Sequence, residues 1–199
     1  MAKNNATVDR IQAIWNMIGG DDMVDALIEG RAELKVAMIK LFEWVSVVKI
    51  PATTKKFIAK REFSRLRRCG ICSQFNNDFV SWFIGDSSKI EGPTDQRVIS
   101  CGALSEFSVD SKIINLLGGE KKCETLLMDM CDLMLKQSKG EEDHVLLTNG
   151  RQNVFFIRDI FGELRLVVLF WKYNGWAIYA FVIGQRGINL GNHVFYQGP

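Results

Sequence analysis

The chain has 199 residues, of which 47% are hydrophobic and 24% charged, and it contains only three prolines. This balance is typical of a folded globular protein and excludes disorder as the main state. The net charge of +2 is too small to indicate nucleic-acid or membrane binding by the molecule as a whole. The length leaves open one large domain or two small ones.

The sequence contains no recognisable secretory signal or membrane span. Its first residues lead into a charged amphipathic segment, and the closest approach to a membrane span, Leu166–Trp171, has only the length of a strand. Five cysteines at uneven spacing suit a reducing compartment better than a disulfide framework. We therefore expect a cytoplasmic protein that does not bind membranes.

Two segments, offset by 99 residues, have similar sequences. Trp15–Asp21 and Ile114–Glu120 each end in two glycines and an acidic residue. Glycine commonly ends a helix, and an acidic residue favours the start of the next one. The pattern predicts a helical hairpin at the opening of each half of the chain. The alternative, a phosphate-binding glycine turn, would also need a lysine and a hydroxyl residue that are not found there.

The rest of the first half contains a predicted strand, two predicted helices and a predicted linker. Leu41–Ile50 is rich in valine and is followed by a proline, which predicts a strand or, alternatively, a short buried segment. Residues 53–68 are predicted to form a helix capped by its threonines, and Asn76–Asp78 to cap a short apolar helix. Gly85–Thr94 is the best linker candidate because it is rich in glycine, serine and proline.

The second half ends in segments with the length and composition of strands. Asn174-Gly175 is typical of a tight hairpin turn between two of them. We predict an α+β fold with a C-terminal four-stranded antiparallel β-meander, whose aromatic residues form core or, alternatively, a ligand groove. The predicted units are residues 1–90, mainly helical with a short strand, and residues 91–199, a helical hairpin plus the meander. The four segments are residues 153–159, 164–171, 176–183 and 193–196.

Residues 55–68 form the densest charged segment, with seven basic residues and one acidic residue. Basic side chains interleaved with aromatic ones suit the phosphates of nucleic acid or another anionic partner. The alternative is a solvated helix face with basic residues near the helix C-terminus. The candidate binding residues are Lys55, Lys56, Lys60, Arg61, Arg65, Arg67 and Arg68.

Cys69 and Cys72 have the spacing of a zinc knuckle or a redox pair. A zinc site needs a second pair of ligands, and the remaining cysteines and histidines supply none at the usual spacing. Small buried thiols are the alternative interpretation. We predict no metal site, no cofactor and no catalytic residue.

The last 50 residues or so carry a set of motifs seen together elsewhere. They include Thr148-Asn149-Gly150, Asn153–Phe156, Arg158-Asp159, Gly162–Arg165, Trp171 and Gly175-Trp176. With these motifs the sequence resembles a group of uncharacterised small proteins from Candidate Phyla Radiation (Patescibacteria) genomes. The chain departs from that group at Arg186–Leu190, where an arginine- or tryptophan-rich loop is expected. The resemblance implies a small bacterial α+β protein and brings no activity, substrate or site with it.

The common catalytic signatures, including the nucleophile elbow, the phosphate loop and the zinc-protease motif, are not found in the sequence. This disfavours an enzyme. We predict a non-enzymatic protein-interaction or structural module with a protein partner or self-association. The alternative is nucleic-acid or anionic-partner binding through the basic helix 55–68.

Overall fold

The computed structural model describes residues 41–142, 144–184 and 186–197. Almost all of these lie in the second of two compact units, which are Met1–Phe42 and Glu43–Pro199. The described helices are α1 (Ala59–Arg68), α2 (Asn77–Phe79), α3 (Asp110–Leu116), α4 (Glu120–Cys123) and α5 (Leu127–Lys136), with a π-helical turn at Val80–Ile84. The described strands are β1 (Phe42–Ile50), β2 (Phe57–Ile58), β3 (Cys72–Phe75), β4 (Ile90–Glu91), β5 (Arg97–Leu104), β6 (Ser108–Val109), β7 (Asn153–Arg158), β8 (Leu164–Lys172), β9 (Gly175–Val182), β10 (Gly187–Ile188) and β11 (His193–Gln197).

Seven strands form one mixed sheet in the order β1-β5-β11-β7-β8-β9-β3. Strands β7, β8 and β9 are consecutive and antiparallel. Strand β11 is antiparallel to β5 and parallel to β7, and β3 is parallel to β9. Two short antiparallel pairs, β2 with β4 and β6 with β10, complete the described strands. The predicted α+β class is confirmed.

The predicted four-stranded meander is wrong in its last strand. After β9 the chain leaves the sheet, and Gly187 and Ile188 pair with β6 instead. The edge of β9 that a fourth meander strand would need is taken by β3. Strand β11 therefore enters the sheet between β5 and β7, so that only three consecutive strands form a meander.

The hairpin between β8 and β9 turns one residue earlier than the Asn-Gly pattern indicates. Tyr173 and Asn174 have φ values of 55° and 59°, and Lys172 pairs with Gly175. Two successive positive φ values define the type I′ turn, whose twist matches that of antiparallel strands. Gly175 is therefore the first residue of β9 instead of a turn residue.

The sheet is apolar on both faces, as strand β8 illustrates. Val167 and Leu169, on one face, belong to a single buried cluster with side chains of α1 and α5. Leu166 and Val168, on the other face, are also buried. Successive side chains of a strand point to opposite faces, so an apolar run of this kind is what a sheet buried on both sides requires. The residues that α1 and α5 contribute to the cluster are Ala59, Phe63, Leu66, Leu127, Met130, Cys131, Leu133 and Met134.

The predicted helical hairpins are not confirmed. The first lies outside the described residues. In the second, α3 ends before Gly118 and Gly119, whose φ values of 94° and 93° favour glycine. Helix α4 then stops after four residues, because Glu124 bridges to Phe156 of β7 and the chain becomes extended. The predicted second helix is thus divided into α4 and α5.

The helix predicted over residues 53–68 and the predicted linker also differ from expectation. The helix begins at Ala59 instead of residue 53, and its N-cap residue, Ile58, makes no side-chain capping hydrogen bond. Within Gly85–Thr94, Ile90 and Glu91 form β4 and pair with β2. Strands β1 and β3, from the predicted first unit, belong to the same sheet as β5 and β9. Among the described helices, none is long and apolar enough to cross a membrane.

Candidate functional site

A cleft of about 430 Å³ lies between α1, α5 and the loop that joins β1 to β2. This volume is in the range of pockets that enclose a ligand or a few side chains. The loop, the first residue of β2 and the two helices all contribute side chains to the lining of the cleft. The lining residues are Ala52, Thr53, Thr54, Lys55, Lys56, Phe57, Arg61, Glu62, Arg65, Met128, Cys131, Asp132 and Leu135.

Thr94 holds the loop in place through Thr53. Thr53 N donates to Thr94 O at 2.8 Å, Thr94 N donates to Thr53 O at 3.2 Å, and the two hydroxyl oxygens are 3.1 Å apart. Both hydroxyls also approach the sulfur of Met128 at 3.9 Å. The threonine predicted to cap a helix therefore ties the loop to the segment before β5 and to α5.

The segment predicted as a linker connects the two helices of the cleft. Lys60 N, at the start of α1, donates to Ser88 Oγ at 2.8 Å. At the start of α5, Leu127 N and Met128 N donate to the two carboxylate oxygens of Glu91 at 2.9 and 2.8 Å. A helix start has unpaired amides and a positive end of its dipole, so a buried carboxylate there fixes the helix. The segment predicted as a linker thus binds the starts of both helices that border the cleft.

The floor of the cleft is apolar. Met128 and Cys131 are buried, and Phe57 and Leu135 are partly buried against the core. Burial, together with the smaller effect of the nearby Glu62 carboxylate, raises the pKa of Cys131 to about 12. The thiol is consequently neutral at physiological pH and serves as a small apolar group and not as a nucleophile.

The rim of the cleft is basic, with an internal counter-ion. Arg61 Nη2 lies 2.9 Å from Glu62 Oε1, and Arg65 Nη2 lies 3.2 Å from Glu62 Oε2. Arg61 Nε also donates to Glu62 Oε1, and Arg65 Nε also donates to Glu62 Oε2. Lys55 and Lys56 are exposed on the loop. The lining therefore has four basic and two acidic side chains, Asp132 being the second acid.

Four of the seven predicted binding residues come together at this cleft, namely Lys55, Lys56, Arg61 and Arg65. The other three are exposed elsewhere on α1. Residues four apart share one side of a helix, which places Arg61 and Arg65 together. Lys60 and Arg67, seven apart, share a different side, and Lys60 lies 3.6 Å from Asp86. Arg68 is exposed at the last residue of α1.

Sequence reasoning missed the contribution of α5. Met128, Asp132 and Leu135 recur at helical spacing along the cleft, but they follow Lys55 by more than 70 residues. Nothing in the local pattern indicates that this helix lies against the basic segment. The one available signal was the apolar face of residues 127–134, which predicts a buried helix without naming its neighbour.

Cys69 and Cys72 differ in their exposure to solvent. Cys69 is exposed at the end of α1, whereas Cys72 is buried at the start of β3. Burial strongly raises the pKa of Cys72, which is the opposite of the lowered value that a redox-active thiol needs. Across the described ranges, no three histidine, cysteine, aspartate or glutamate side chains are grouped as a metal site would require.

A second cavity, of about 310 Å³, lies near the start of β5. Each of its charged side chains has an ionic partner: Arg97 binds Asp129 through Nη2, and Glu124 Oε2 accepts from Arg158 Nε at 3.0 Å. Nε and Nη1 of Arg97 are buried with no hydrogen-bond partner among the described residues. The first cleft, with its excess of basic side chains, is therefore the stronger candidate for binding a charged ligand.

No protein-family model matches the sequence, and no curated protein and no solved structure is significantly similar to it. The resemblance to proteins of the Candidate Phyla Radiation therefore stays a prediction.

Proposed function

We propose that this protein is a non-enzymatic interaction module that binds an acidic, partly apolar segment of another protein in the cleft between α1 and α5. The observation that carries the proposal is the combination of an apolar floor with a basic rim. A segment with an apolar side chain flanked by carboxylates would bury the former on Met128 and Leu135. Its carboxylates would then lie near Lys55 and Lys56.

A protein segment fits the cleft better than nucleic acid does. Glu62 and Asp132 lie among the basic residues, and both would repel a continuous line of phosphates. Among the described residues of the lining, Phe57 is the only aromatic one, so this part of the cleft offers little surface for stacked bases. The apolar floor, in contrast, gains binding energy only from a ligand with apolar side chains.

The proposal is tested with a fluorescent peptide in which glutamates flank two leucines, titrated with the full chain and followed by anisotropy. We expect binding that weakens as salt rises. A peptide with alanine at both leucine positions should bind at least about tenfold more weakly, because a fully buried leucine side chain contributes about 1.5–3 kcal/mol and a tenfold change corresponds to about 1.4 kcal/mol. A single-stranded oligonucleotide is the third probe.

The matched variants carry the same change in charge at two places. Lys55→Glu with Lys56→Glu alters the rim, and Lys121→Glu with Lys122→Glu alters an exposed pair on α4. We expect the first pair to weaken peptide binding at least about tenfold and the second to leave it unchanged. Equal losses from both pairs, equal binding of the alanine peptide, or tighter binding of the oligonucleotide would each overturn the proposal.

A further inference from the structure

Strand β1 is the edge of the seven-stranded sheet, and in the described residues it pairs on one side only, with β5. It is nine residues long, and Trp44 and Val47 are 67% and 44% exposed. A long edge strand with exposed apolar side chains is a template for pairing with another strand. The question is which strand fits it.

The sequence of β1 is complementary to itself when it is reversed about Ser46. In an antiparallel pair centred there, Glu43 is opposite Lys49 of the second strand. Trp44 is opposite Val48, an aromatic and a β-branched side chain, and Val45 is opposite Val47. Directly opposite residues share one face of an antiparallel pair and contact each other. Because the arrangement is two-fold symmetric about Ser46, each of these three pairs occurs twice.

We propose that β1 pairs in antiparallel fashion with β1 of a second copy of this chain, centred on Ser46, and joins the two seven-stranded sheets into one. The charge complementarity of Glu43 and Lys49 selects this register, since both side chains are exposed and only a centre at Ser46 makes them opposite. The inference is independent of the cleft and goes beyond the proposed function.

The first test is sedimentation velocity of the full chain over a range of concentrations. We expect a reversible increase in mass from 22.6 kDa to twice that value. Glu43→Lys should weaken the dimer, because lysine then lies opposite Lys49 at two symmetric positions. Lys49→Glu should weaken it equally. With cross-strand pairs worth about 0.2–1 kcal/mol each, the loss should be roughly tenfold in dissociation constant.

The decisive test combines the two charge reversals. Mixed in equal amounts, the Glu43→Lys and Lys49→Glu chains should associate with each other, because each lysine then meets a glutamate. The chain that carries both substitutions should again form dimers by itself. Circular dichroism of each variant checks that the fold is kept, which is expected because both side chains are exposed.

Three results would overturn the inference. One is a wild-type chain that stays monomeric at high concentration. Another is a dimer that tolerates both single reversals. The last is a folded double variant, or a mixture of single variants, that fails to regain association. A change in peptide binding would not bear on it, since the cleft residues are different ones.

Discussion

Gly140 lies directly against the indole ring of Trp171. A Cβ atom built on this glycine would be 2.5 Å from Cε2 of the ring, and its φ of +75° belongs to the left-handed region. Trp171 in turn makes an edge-to-face contact with Trp176, with ring centroids 5.0 Å apart. The loop after α5 is therefore packed against the end of the meander without room for a side chain.

The substitution Gly140→Ala should lower stability by about 2–4 kcal/mol, the sum of left-handed strain and overpacking. Gly150→Ala is its control, because Gly150 also has a positive φ, +83°, but nothing lies within 4 Å of its Cβ position. Thermal unfolding of the two variants separates strain from contact. Equal losses of Tm would show that Trp171 does not restrict position 140.

Asp159 organises the turn between β7 and β8. Its Oδ2 accepts from Arg165 Nε at 2.7 Å, and its Oδ1 accepts from the backbone amides of Phe161 and Glu163 at 2.7 and 3.0 Å. Both members of the ion pair are largely buried. Asp159→Ala would leave the guanidinium without its counter-ion and should cost about 3–5 kcal/mol in urea unfolding.

The conservative change Asp159→Asn keeps an oxygen for the two amides and loses the charge. It should therefore be less destabilising than Asp159→Ala by about 1 kcal/mol or more. If the two variants unfold at the same urea concentration, the amide hydrogen bonds contribute nothing and the assigned role of Asp159 in the turn is wrong.

Glu91 gives the protein a pH dependence of known sign. Burial raises the pKa of Glu91 above its ordinary value of 4.5 more than its two amide donors and Lys89 lower it. The folded protein therefore holds the proton to higher pH than the unfolded chain does. The stability from this proton is complete below about pH 4.5 and is lost as pH rises through the shifted pKa.

Urea unfolding between about pH 4 and pH 8 tests this. Glu91 should make the free energy of unfolding fall as pH rises, against the opposite contribution of His193, whose pKa is lowered by burial. Glu91→Gln should remove the Glu91 part of the slope because the amide does not titrate. Part of the slope should persist, since burial raises the pKa of Asp129 in the same direction. Parallel profiles of wild type and Glu91→Gln would contradict the assignment.

The cysteines should differ sharply in reactivity. All five are described, and Cys69 is exposed whereas the other four are buried. A thiol reagent added to the native protein should therefore modify one site per chain, and should modify all five after unfolding. Cys69→Ser should abolish the native reaction. Rapid labelling of Cys72 in the folded chain would contradict the structure at the start of β3.

Local patterns predicted the elements whose form depends on neighbouring residues. The strand at residues 41–50, the strands β8 and β9, and the helix capped by Asn76 all follow from alternation or capping. Asn76 Oδ1 indeed accepts from Phe79 N at 3.0 Å. The basic side of α1 could also be predicted, because the i to i+4 spacing of Arg61 and Arg65 is visible in the sequence.

Pairings between distant segments could not be predicted in this way. The nearly continuous apolar run of β9 shows that both of its faces are apolar, but it does not show that β3, about 100 residues earlier, is its neighbour. The same holds for Glu91, which reads as part of a polar linker and instead binds the start of α5. These contacts are selected by packing across the whole chain, which a local pattern does not contain.

The position of β11 determines when the sheet can be completed during synthesis of the chain. This strand joins β5 to β7, so without it the order of the sheet separates into β1-β5 and β7-β8-β9-β3. Two unjoined groups of strands, each with an open edge, must persist until residues 193–197 have been synthesised. The sheet can therefore be completed only after Gln197 has been synthesised, and until then each group of strands has an open edge that β11 will later occupy.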